Sequence, residues 1–235
     1  MMVMPADNNK GYVHYLAGKY PGLLGHLYGP GRFRNPYTWL PYALDNGAFP
    51  AFTNATAWDA DAFMALVERA AASGQAPLWV VVPDVVGDKQ ATLRLWDEWA
   101  PRLERFGWPL AFAVQDGMTT ADVPSGAAVV FVGGTTKWKR RTIHEWCARF
   151  KRVHVGRINT ERWLWYCWRA GAESCDGTGW FRGNQDQVEG LANYLRRSGS
   201  GAGPCPKIET RDLFGGFHYA KRRAPAPGGG KGGRA

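Results

Sequence analysis

A parallel α/β barrel of the (β/α)8, TIM-like type, compact or incomplete, is the fold class this sequence predicts. Short apolar runs alternate with amphipathic segments along most of the chain, which implies right-handed βα units and a parallel sheet. The 235 residues suit a barrel that forms one domain. The apolar runs also end repeatedly on a polar residue or a glycine, as strands do at a barrel mouth. A doubly wound sheet is the other arrangement the alternation allows.

Taken in order, VHYLAG (13–18) reads as a first strand and PYALDNGAF (41–49) as a second that ends at Asp45. WDADAFMALVERAAASG has helical periodicity, with Asp59 or Asp61 in its first turn and Gly74 at its stop. PLWVVVPD (77–84) is the clearest buried strand and ends at Asp84. A helix follows around KQATLRLWDEWAPRLERFG, with a break or kink expected at Pro101. PLAFAVQDG (109–117), AAVVFVGG (127–134) and RVHVGRIN (152–159) are further strands. The basic helix TTKWKRRTIHEWCARFK separates the last two, and TERWLWYCWRAG is the helix after them. AESCDGTG is a short strand or strand end, and NQDQVEGLANYLRRSG a late helix that stops at Gly199. The pattern yields seven strands and a weakly marked eighth.

The domain plan is therefore a barrel over 1–198, a linker and C-terminal extension over 199–220, and a disordered basic tail over 221–235. The barrel is expected to carry no zinc subdomain. Hydrophobic content of 45% with 21% charged residues is that of an ordinary globular protein. A net charge of +9 and 12 Trp residues are less ordinary. Lysine and arginine meet phosphates and flat rings stack on bases, so the balance suits a polyanionic partner, with a merely solubilising surface as the bland alternative. Lys221, Arg222, Arg223, Lys231 and Arg234 fall in the tail, while KWKRR (137–141) opens a helix inside the folded part. The four cysteines lack paired spacing, and Cys147 and Cys167 sit in helical patterns as reduced core residues. No apolar run is long enough for a membrane span, and MMVMPADNNK lacks a signal-peptide core, so a cytosolic protein with no membrane partner is expected.

Asp45, Asp84, Gln115, Gly133 with Gly134, and Asp176 all stand at strand ends. Singly, each has a local reading: an Asn-Gly turn at LDNGAF, a helix cap at PDVVGD, a tight turn at VQDG, backbone freedom at VFVGG. Jointly they would line one face of a barrel and form a pocket.

The order of these motifs resembles the tRNA-guanine transglycosylases and their DNA-acting relatives, the DpdA-type 7-deazaguanine transglycosylases. DNGAF (45–49) is similar to that family's DSGG(F/Y)Q motif, PD (83–84) to its strand-end Asp, and VQDG (114–117) to its VQGG motif. VGGT (132–135) is similar to its GG segment, HVGRIN to its glycine-containing strand, and GAESCDG (171–177) to its G-A-D-x-F-D-C segment. The resemblance implies Asp176 as nucleophile and Asp45 as general acid/base. It implies Asp84 and Gln115 as readers of a purine-like base edge, with the backbone of Gly133, Gly134 and Thr135 as a wall of peptide hydrogen bonds. Lys137, Lys139, Arg140, Arg141 and Arg157 are the expected phosphate contacts. The chain departs from the family at Ala48, Pro50 and Asp116, and nothing in it matches the C-x-C-x2-C plus His zinc site of the tRNA enzymes; Cys205 and His218 are too isolated to replace it.

The resemblance thus implies exchange of guanine in DNA for a 7-deazaguanine such as preQ0, without metal or cofactor. The chemistry would parallel retaining glycoside hydrolysis, with a covalent glycosyl intermediate on one carboxylate. Action on tRNA, hydrolytic release of the base, and a noncatalytic nucleic-acid-binding barrel are the alternatives.

Overall fold

In a computed structural model of the protein, residues 1–6, 11–31, 33, 34, 36, 37, 39–181 and 185–204 are described. Eight strands run in chain order: β1 (Met2–Pro5), β2 (His26–Tyr28), β3 (Tyr42–Leu44), β4 (Val80–Val81), β5 (Leu110–Val114), β6 (Val129–Val132), β7 (Val153–Val155) and β8 (Ser174–Gly177). They form one parallel sheet in the order β1-β8-β7-β6-β5-β4-β3-β2. The remaining edges, β1 and β2, meet through the bridges Val3↔Leu24 and Ala6↔Leu27, which nearly closes the sheet into a (β/α)8 barrel.

Among the described residues seven α-helices flank it: α1 (Gly11–Lys19), α2 (Ala48–Thr53), α3 (Ala60–Ala72), α4 (Lys89–Glu104), α5 (Thr136–Arg149), α6 (Glu161–Ala170) and α7 (Gln185–Gly199). The capping is local chemistry. Asp59, Asp88, Thr135 and Thr160 each accept a backbone N–H of the first turn of α3, α4, α5 and α6. Gly171 in the left-handed conformation ends α6. Among the described residues no helix is long and apolar enough to cross a membrane.

Three expectations are corrected. VHYLAG is helical: Val13, Leu16 and Ala17 are its buried residues, a spacing that one helix face provides and a strand does not. The first two strands are instead MVMP and HLY, four and three residues long. Of the break or kink expected at Pro101, the break does not occur: α4 runs on to Glu104. The proline is exposed near the helix end, where the hydrogen bond it cannot make leaves a carbonyl facing water. Met1–Gly203 is one compact unit. The predicted tail over 221–235 and most of the 199–220 extension, with Cys205 and His218, lie outside the described residues.

The barrel interior is built unevenly. Met4, Leu27, Ala43, Trp79, Val81, Ala111, Ala113 and Val129 form its apolar cluster, with Phe131 packed against it. These come from β1 to β6 and the residues flanking them. On β7 and β8 the buried side chains His154, Ser174 and Asp176 are polar. Ser174 and Asp176 are two residues apart on one strand, and side chains at that spacing share a face.

Candidate active site

The β7–β8 sector carries a chain of buried polar groups. Nδ1 of His154 lies 2.8 Å from the Ser174 hydroxyl and Nε2 lies 3.1 Å from Oδ1 of Asp176. With Asp176 ionised, Nε2 carries the imidazole proton and donates to the carboxylate, and Nδ1 accepts from Ser174. The ring is held by Phe131, stacked at 4.8 Å, and by Trp79, edge-on at 4.7 Å. The backbone N–H of Arg157 donates to the same Oδ1 at 3.2 Å. Arg157 adopts a left-handed φ of 60°, which few non-glycine residues do, and this is the residue that aims the N–H. Oδ2 of Asp176 has no hydrogen-bond partner among the described residues, and the side chain keeps 8% of its exposure. One carboxylate oxygen is thus fixed and the other open.

A second network braces the mouth between β3 and β5. Asn46, buried just after β3, donates to Oδ1 of Asp84 at 2.8 Å and to the Val82 carbonyl at 3.0 Å, and accepts the Ala48 N–H at 2.8 Å. Gln115, at the end of β5, donates to Oδ2 of Asp84 at 2.8 Å and to the Val85 carbonyl at 3.0 Å. Its own Oε1 accepts the Gly87 N–H. Enclosure pushes the Asp84 carboxyl up from 3.8 to about 6, with the Asn46 hydrogen bond opposing the rise.

Asp45 follows β3 directly and is partly buried, its N–H bonded to the Tyr28 carbonyl at 2.8 Å. Asp45 and Asp176 therefore both stand at C-terminal strand ends of one barrel, with β2 and β1 between their strands. Arg157 spans the same mouth from the β7 side. Its guanidinium lies 4.2 Å from the centre of the Phe49 ring on α2 and donates to the Gly134 carbonyl beyond β6.

The expected wall of peptide donors is largely occupied. The Gly133 N–H goes to the Val114 carbonyl at 2.9 Å. The Thr135 N–H and hydroxyl go to Asp116 at 2.5 and 2.7 Å, so the Asp that departs from the family's glycine clamps this turn. The Gly134 N–H has no partner among the described residues. Gly134 has φ 51°, and a Cβ there would run into the Trp138 ring and Asp116. Gln115, likewise, has both ends of its amide engaged within the protein, so it acts on Asp84 before it could act on a base.

Lys137, Arg140 and Arg141 are exposed on α5. Lys139 is not: it is 1% exposed, and its amine donates to the Gly156 carbonyl. It sits on the inward stripe of α5 with Trp138, Ile143 and Trp146, so it is not a phosphate contact. Arg157 is exposed but engaged as described. His154, Ser174 and Asn46 escaped the sequence reading. The signals were a histidine centred in VHV, the S-x-D spacing of the next strand, and an amide between Asp45 and Gly47. Among the described residues no group of three or more His, Cys, Asp or Glu side chains could hold a metal ion.

No family model matches the chain, and no curated protein matches it. Among solved structures, one described as "Native KDPGal structure" is similar at 11% identity with a TM-score of 0.48, over 85% of this chain and 95% of that one.

Proposed function

We propose that the protein is a base-exchanging transglycosylase that replaces guanine in DNA with a 7-deazaguanine such as preQ0. The observation that carries the reading is the asymmetric carboxylate of Asp176, with Oδ1 held by His154 and the Arg157 N–H and Oδ2 open. A nucleophile needs one oriented oxygen and one available oxygen, and a merely structural aspartate would use both.

Oδ2 attacks C1′ of the target nucleotide, and the C1′–N9 bond breaks with its electron pair leaving on guanine. Asp45 protonates the departing base. Asp45 then takes the N9 proton of the incoming 7-deazaguanine, whose N9 attacks C1′, breaks the aspartyl ester and returns Asp176 as carboxylate. Two displacements retain configuration. Asp84, an acceptor at the mouth, suits the N1–H and 2-amino donor edge that guanine and 7-deazaguanines share. The target nucleotide must be extruded or presented single-stranded to reach this depth. Exposed Lys137, Arg140 and Arg141 suit its phosphates.

The test is nucleoside mass spectrometry of DNA and, in parallel, tRNA incubated with protein and preQ0. Deazaguanosine in the DNA is expected. Its absence from DNA together with its presence in tRNA would move the activity to tRNA, free guanine formed with water alone would make the protein a hydrolase, and no change in either nucleic acid would overturn the reading.

A further inference from the structure

The amine of Lys139 and Oδ1 of Asp176 bond to opposite ends of the same peptide unit. The Gly156 carbonyl accepts from Lys139 and the Arg157 N–H, across one C–N bond, donates to Asp176 at 3.2 Å. We infer that Lys139 is a positioning residue, which orients and polarises the Gly156–Arg157 peptide so that its N–H fixes the Asp176 carboxylate. Its importance for exchange rests on the function proposed above; the relay itself does not.

Three features argue for it. A peptide whose carbonyl accepts from a cation is a stronger donor at its N–H, because hydrogen bonds in series polarise one another where the dielectric is low. The peptide is also shaped for the role. A Cβ on Gly156 would lie 2.9 Å from the Phe131 ring and 3.4 Å from Oδ1 of Asp176, so a side chain there would push the unit off the carboxylate. Arg157 takes the left-handed conformation that turns the N–H inward. Finally, burying an ammonium costs several kcal/mol. A carbonyl at a strand end needs no cation to satisfy it, whereas a buried carboxylate gains from one nearby.

The charged and titratable groups around the relay are Arg157, Asp116 and His154 beside the β6 and β7 ends, Asp176 and Cys175 on β8, Cys167 on α6, and the Met1 amine near Cys175. Burial and the Arg157 charge lower the Lys139 amine to about 8, whereas burial raises both thiols.

The experiment follows the Arg157 backbone amide resonance of the full chain from pH 6.5 to 9.5 by 1H–15N NMR. A step with its midpoint at about 8 is expected in the wild type, absent in Lys139→Met. Lys139→Arg, which keeps the charge, should hold the low-field position without a step in this window. Exchange by Lys139→Met should show kcat reduced roughly tenfold with KM for DNA nearly unchanged. A step that survives in Lys139→Met, or a full kcat in that variant, overturns the inference. If Lys139→Met does not fold, the wild type and Lys139→Arg decide: a flat wild-type resonance, or the same step in both, overturns it equally. A wild type with the step but no exchange activity overturns the proposed function and upholds the relay.

Discussion

Two polar networks share the mouth of this barrel, and they are built to opposite ends. Around Asp84, each carboxylate oxygen has its own amide donor, from Asn46 and Gln115, and the donors are tied in turn to backbone. Around Asp176, a histidine and a backbone N–H converge on one oxygen and the other is left open. The first network uses a carboxylate to join β3, β4 and β5. The second immobilises a carboxylate without consuming it. The contrast shows that a buried acid is not a site by virtue of burial; what matters is whether one of its oxygens is left without a partner. Asp84, which keeps a lone pair on each oxygen, is suited to accept a donor edge and not to attack.

The sharpest way to break this contrast is Asp176→Asn. An amide keeps the shape but is a poor nucleophile, so exchange should fall by at least about 10³-fold while the protein still folds. A covalent DNA–protein adduct on a denaturing gel should vanish with it. Asp45→Asn should cost about 10²-fold in kcat, the usual contribution of one positioned proton-transfer group. Gln115→Leu attacks the other network. It strips a donor from Asp84 and an acceptor from the Gly87 N–H, so urea unfolding should show about 2 kcal/mol of lost stability.

The pH dependence of stability should carry the signature of Asp84. Its carboxyl rises from 3.8 to about 6 on folding, so the folded state binds more protons between those values. The associated stability is fully present below about 3.8 and is lost as pH rises through 6. At ~1.4 kcal/mol per pH unit this amounts to about 2–3 kcal/mol, with the lower figure expected because the residue is only partly buried. Asp84→Asn should flatten that slope in urea titrations at successive pH values. Smallest of all, Ser174→Ala removes the hydroxyl behind His154 and should cost ~1 kcal/mol with exchange reduced only a few-fold.

The sequence carried the barrel because its architecture is written in repeated alternation, and one error did not disturb it. VHYLAG has the composition of a strand, yet its buried positions follow the helix period. The strands it displaced, MVMP and HLY, are too short to show a period at all. The acidic strand ends were legible because position relative to a strand is a local property. The roles of their neighbours were not. Lys139 looks like one cation among four in KWKRR, and only the packing of α5 on the barrel turns it inward to the Gly156 carbonyl. Gln115 looks available to a ligand until Asp84, Val85 and Gly87, distant in sequence, take up its amide. His154 becomes informative only when Ser174 and Asp176 are laid beside it by strand pairing.

The Arg157 side chain crosses the barrel opening from the β7 end to Phe49 and Gly134. Under the proposed function, a nucleotide descending to Asp176 would have to lift this strap from the ring and the carbonyl. The lift forfeits a cation–π contact of about 1 kcal/mol and a charge-assisted hydrogen bond, both recoverable when the guanidinium closes on a phosphate instead. Entry would then exchange aromatic for anionic company, and the strap would favour cargo that brings its own negative charge.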